Sequence, residues 1–109
     1  MLLNKQVSSL LGLCARARKV VSGETVSESI RNQAAHLVLY ASDASNNTKK
    51  RIQDKARFYG VDAIEVEDST QLSNAIGKSG RMAVAIVDAG FAKNIKEKLG
   101  VGDEDGKNE

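Results

Sequence analysis

Between Gly12 and Leu99, short apolar runs alternate with amphipathic segments of helical length, and this alternation leaves few folds open. His36-Leu37-Val38-Leu39-Tyr40-Ala41 is nearly continuous in apolar residues and bounded by polar ones. That is the pattern of a strand covered on both faces, so it predicts the middle of a sheet. Met82 to Val87 is the strongest further strand, with Val20-Val21 and Ala63-Ile64-Glu65-Val66 completing four. Helical spacing fills the intervals. Val7, Leu10, Leu11, Cys14 and Ala15 fall three and four apart and predict a helix over Asn4 to Ala17. A second helix opens at Ser22-Gly23-Glu24-Thr25 with Val26 and Ile30 inward. A third, Thr48 to Tyr59, buries Ile52, Ala56 and Tyr59 and stops at Gly60. Asp68-Ser69-Thr70-Gln71 offers N-caps for a fourth carrying Leu72, Ala75 and Ile76, and Phe91, Ile95 and Leu99 mark the last. The order αβαβαβαβα predicts an α/β protein, a three-layer α-β-α sandwich on a four-stranded sheet.

A chain of 109 residues suits one domain, here 1–99, followed by an acidic tail at 100–109 too polar to pack and expected to be disordered. No apolar run approaches the roughly 18 to 20 residues that cross a bilayer. Met1-Leu2-Leu3-Asn4-Lys5 lacks the features of a secretory signal, so the expectation is a cytoplasmic protein without membrane contact. Cys14 and His36, the lone residues of their types, supply neither a disulfide nor a zinc set, and no metal or cofactor is expected. Charge is uneven. Ten Lys and Arg face four Asp and Glu in residues 1–60, against six and ten in 61–109. A basic surface on part of the fold is a footprint for a polyanion.

Enzyme chemistry finds little support. Gly77-Lys78-Ser79 resembles the end of a Walker motif, but Leu72 stands where the first glycine belongs and a strand follows instead of a helix. Cys14 lies at an apolar helical position, where packing outweighs a nucleophile role, and His36 opens a strand. Asp43 follows the central strand, where α/β folds place site residues, although helix capping or a turn is the stronger reading. Lys49-Lys50-Arg51, Lys55 and Arg57 read first as the solvated face of a helix. Arg16, Arg18 and Lys19 complement a helix C-terminus. Two places suit an anion better. The glycine-led helix entrance offers backbone N–H groups and short polar side chains, and the turn flanked by Lys78 and Arg81 can bring backbone close to phosphate.

Three segments then carry a resemblance: Leu11-Gly12-Leu13-Cys14-Ala15-Arg16-Ala17-Arg18-Lys19-Val20-Val21-Ser22-Gly23-Glu24, Leu37 through Lys50, and Leu72-Ser73-Asn74-Ala75-Ile76-Gly77-Lys78. Together they resemble the bacterial YlxQ-type branch of the ribosomal L7Ae superfamily over almost the whole chain apart from its tail. The resemblance implies a mixed sheet and binding to RNA kink-turns, sharply bent helices with a bulge beside sheared G·A pairs. It also implies a small non-enzymatic protein, often ribosome-associated. The expected partner is structured RNA, ribosomal RNA included, with ribosomal proteins as further partners of a monomer. An alternative is a protein-binding adaptor on the ribosome or a translation factor, with a weakened RNA site, which Glu28 and the acidic tail favour.

In the superfamily the second helix begins with a pattern like Gly-x-Asn-Glu-x-x-Lys, whose polar side chains read guanine edges while the lysine meets phosphate. Counting back from Ile30 puts Ser22 at the glycine, Glu24 and Thr25 at the Asn-Glu pair, and Glu28 at the lysine. If Gly23 is the matching glycine, the chain is one residue short before Val26. Glu28 would repel phosphate, and Arg31, a turn beyond Ser27, is the candidate for the missing charge. Arg18 replaces the glycine that ends the first helix in this branch, which demands strain or another cap. In the second patch, the loop after Leu-Gly-x-Ala-x-Gly, Ser73 replaces a glycine whereas Ala75 and Gly77 remain, and Lys78-Ser79-Gly80-Arg81-Met82 forms the contacting loop. The expected RNA-binding residues are therefore Ser22, Gly23, Glu24, Thr25, Ser27, Glu28, Arg31 and Asp43 on one side, and Gly77 through Met82 on the other.

Overall fold

Each apolar run becomes a strand whose successive residues serve opposite helical layers. A computed structural model of the chain describes residues 3–100, so the acidic segment expected at 100–109 lies outside them apart from Gly100. The chain runs α1 (Lys5–Arg16), β1 (Val20–Ser22), α2 (Thr25–Arg31), β2 (Leu37–Ala41) and α3 (Asn46–Tyr59). It continues through β3 (Asp62–Val66), α4 (Ser69–Ala75), β4 (Ala83–Ile86) and α5 (Ala89–Leu99). The strands lie in the order β1-β4-β2-β3. β2 is parallel to β3, whereas β4 is antiparallel to both β1 and β2, which makes the sheet mixed.

Period-two alternation divides the core. Leu37, Leu39 and Ala41 of β2, with Val84 and Ile86 of β4, face a layer that α1, α4 and α5 complete through Val7, Leu11, Cys14, Leu72 and Ile95. Val38 and Tyr40, with Ala83 and Ala85, face α2 and α3, which contribute Val26, Ile30 and Ile52. The two alanines are small, so α2 can lie close over β4. All five β2 residues are buried, as a run apolar at both parities requires. No helix of the described residues is long and apolar enough to cross a membrane.

Helix ends follow local chemistry. α3 begins at Asn46, two residues before the predicted Thr48, because Ser45 is extended and its hydroxyl accepts the Thr48 N–H at 3.1 Å. β4 is correspondingly shorter than Met82 to Val87, its pairing with β2 ending at Tyr40 and Ala83. α1 ends with Arg18 at φ +61°, where the Arg18 N–H reaches Ala15 O at 3.0 Å and the Lys19 N–H reaches Cys14 O at 2.9 Å. That is a Schellman closure with an arginine in the left-handed position glycine prefers.

Candidate functional site

Strand directions gather the site. Because β4 runs antiparallel to β1 and β2, the loop entering β4 meets the turns leaving β1 and β2 at one end of the sheet, the carboxyl end of β1 and β2. The carboxyl end of the strands is where open α/β sheets place their ligands.

Four helices begin on a side-chain cap: Asn4, Ser45, Asp68 and Asp88 each accept a backbone N–H of the first turn. α2 differs. Glu24 at its cap position is already helical and makes no side-chain cap bond. Gly23 has φ +67°, so the left-handed turn falls there, while Ser22 remains in β1 opposite Val84. The conformation that needs glycine therefore belongs to Gly23 and not to Ser22. The expectation of free N–H groups is corrected in part, because the Gly23 N–H donates to Ala83 O at 3.3 Å. Thr25 is exposed, and its hydroxyl donates to Ser22 O at 2.7 Å, tying the turn together.

The loop into β4 is braced from beneath. Ser73, where the resemblance implies a glycine, is buried; its Oγ accepts the Arg81 N–H at 2.7 Å and donates to Arg81 O at 3.1 Å. Gly77 and Gly80 take left-handed φ of +72° and +70°, which shapes the loop between them. Arg81 thus has its backbone fixed on both sides while its side chain lies over the α2 entrance. A Cβ added at Gly23 would stand 3.7 Å from Arg81 Nη1. Arg81 Nε is buried with no hydrogen-bond partner among the described residues. Such a donor costs about 1–3 kcal/mol unless a ligand or water satisfies it.

These elements enclose a cleft of about 280 Å³. Gly23, Glu24 and Ser27 form one wall and Gly80 and Met82 another, over a floor of Val26, Ile52 and Ala83. Thr48 and Arg51 of α3 close the third side. Thr48 and Arg51 were missed by sequence reasoning, since a polar helix face carries no sign of what stands opposite it. Their spacing of three residues beside the inward Ile52 was the available signal. Met82, 40% exposed, gives the cleft an apolar lip.

Other expected residues stand outside that cleft. Glu28 and Arg31 are exposed further along α2, and Gly77, Lys78 and Ser79 are exposed at the far part of the loop. Asp43 takes the capping role. Its carboxylate accepts the Ser69 N–H at 2.8 Å and the Ser69 hydroxyl at 2.9 Å, tying the end of β2 to the start of α4. The Ser69 hydroxyl foremost, with backbone N–H groups and Lys49, holds this carboxyl below its ordinary range against partial desolvation. Cys14 is buried, and desolvation, then Asp88, pushes its thiol up to about 11, so it packs and does not ionise. His36 is exposed at the start of β2. Gly77-Lys78-Ser79 leads into β4 rather than a helix.

Residues 5–96 match the ribosomal protein L7Ae/L30e/S12e/Gadd45 family. The chain belongs to this family. Among its L7Ae-type relatives is the RNA-binding protein YlxQ of Bacillus subtilis (strain 168), 51% identical over 87 residues, which cover 79% of this chain and 87% of the relative. RNA-binding protein YlxQ of Enterococcus faecium is 42% identical over 96 residues, covering 87% and 92%. A Bacillus halodurans protein of unknown function superposes with a TM-score of 0.85 at 36% identity, over 89% of this chain and 99% of its own. The Giardia lamblia 15.5kD RNA binding protein shares the L7Ae-type fold, with a TM-score of 0.72 at 17% identity over 89% and 90%.

Proposed function

We propose that the protein is a non-enzymatic binder of structured RNA, specific for kink-turn-like bends and associated with the ribosome. The observation that carries this is Arg81, whose backbone is clamped by Ser73 while its buried Nε lacks a partner beside the cleft. A guanidinium carried on a clamped backbone, with no protein acceptor for its Nε among the described residues, suits phosphate or a guanine edge. The names of the two YlxQ relatives support RNA as the ligand. In this reading Arg81, Arg51 and Arg31 meet phosphate, which positions the RNA, while Glu24, Thr25 and Ser27 read base edges. Met82 and the floor of the cleft pack against a base displaced at the bend.

Calorimetric titration tests it, with a kink-turn RNA and a control whose G·A pairs are replaced by Watson–Crick pairs. Binding confined to the kinked form, weakened by Arg81→Ala and losing its selectivity on Glu24→Ala or Thr25→Ala, is the expected result. Equal weak binding to both RNAs would end the kink-turn reading.

A protein-binding adaptor is the second reading, favoured by Glu24 and Glu28, both exposed on α2 with no cation at ion-pair distance among the described residues. A ribosome pull-down that survives ribonuclease would support it.

A further inference from the structure

The outer face of α3 carries an aromatic ring that packing does not explain. Phe58 is 81% exposed, whereas the inward residues of the same helix, Ile52 and Ala56, are buried. Its ring is set edge-on against Tyr59, with centroids 4.9 Å apart and an interplanar angle of 80°. Arg51, Lys55 and Phe58 fall at helical spacing on one stripe and, with Asp54 and Tyr59, border a shallow hollow of about 330 Å³.

The cations of α3 divide into two sets. Lys49 is paired with Glu65 at 3.0 Å, and Lys50 and Arg57 share Asp54 at 3.4 and 3.6 Å. Arg51 and Lys55 have no carboxylate within ion-pair distance among the described residues. These two are the ones that share the stripe with the ring, on its N-terminal side, and Asp54, held by two cations, is poorly placed to repel a phosphate. Arg51 also lines the cleft, so one cation borders both the cleft and the Phe58 hollow. From Arg51 to Phe58 the stripe runs ~10 Å along the helix.

We infer that this stripe is a stacking site for an unpaired nucleotide leaving the RNA held in the cleft: its base lies on Phe58, and its phosphates meet Arg51 and Lys55. The inference rests on the RNA-binding reading above and adds a subsite to it. An open aromatic ring beside a row of unspent cations is how single strands are held with little sequence preference, because every base has a π-face.

Fluorescence anisotropy with the full chain tests this, using a kinked RNA with paired ends and the same RNA carrying a short unpaired adenosine strand at either end. The extended RNA binds the unsubstituted protein more tightly. Phe58→Ala removes that gain, roughly fivefold to a hundredfold, and leaves the paired-end RNA unaffected, while Phe58→Tyr keeps it. A photoreactive thiouridine in the extension crosslinks to the Phe58 region. Equal binding of the two RNAs to the unsubstituted protein, or a gain that survives Phe58→Ala, overturns the inference while leaving the cleft reading intact. Failure of the unsubstituted protein to bind either RNA rejects the cleft reading and the subsite with it. A ribonuclease-resistant partner lost on Phe58→Ala, with no effect on the extended RNA, would assign the face to protein and overturn the subsite.

Discussion

Arg18 sits at φ +61° because α1 closes on a Schellman turn whose left-handed position must be filled by whatever residue stands there. Arg18→Gly removes the clash of Cβ with its own backbone and is expected to stabilise the fold by about 0.5–1 kcal/mol, read as a higher urea midpoint. The need for strain or a different cap at this position was legible in the sequence, and the structure shows strain. Asp43 gives a second test at this scale. Its folded pKa is depressed by Ser69, so its contribution is complete above the unfolded carboxylate range and is lost as pH falls through the lower folded value. Melting temperatures of the unsubstituted protein and Asp43→Asn should therefore differ at neutral pH and converge in acid below about pH 4. A gap that widened on acidification would contradict the Ser69 tie.

At the scale of elements, the loop between α4 and β4 depends on one hydroxyl. Ser73 holds both backbone groups of Arg81, and Ser73→Ala leaves the Arg81 N–H without its acceptor. We expect a loss of about 1–3 kcal/mol in urea unfolding, together with weaker RNA binding although no side chain of the cleft has changed. Weaker binding with unchanged stability would mean that Ser73 touches the ligand. From the sequence Ser73 was a departure from a glycine pattern and its purpose was illegible, because its partner lies eight residues on, across a turn. The start of α3 was missed for a related reason: Ser45 caps it, and a run of Ser and Asn residues does not say which of them takes the extended conformation.

For the molecule as a whole, the basic excess of residues 1–60 bears on the RNA reading. If Arg31, Arg51, Arg81 and their neighbours make about four to six phosphate contacts, the logarithm of the binding constant should fall against that of salt concentration with a slope of roughly −3 to −5. Titrations across a salt series measure it, and Arg51→Ala should make the slope shallower by nearly one. A slope near zero would argue against phosphate as the principal contact.

The alternation of apolar runs and amphipathic segments determined the α/β class, the order of elements and which residues face inward, since burial has the same periodicity as the chain's own geometry. It also singled out the α2 entrance and the loop before β4 as separate places of interest. Only the tertiary structure joined them. The antiparallel setting of β4 between β1 and β2 brings that loop beside Gly23, swings Arg81 over the entrance and makes Thr48 and Arg51 the third wall. Strand order and direction follow from contacts between segments far apart in the chain, and local pattern carries no record of them.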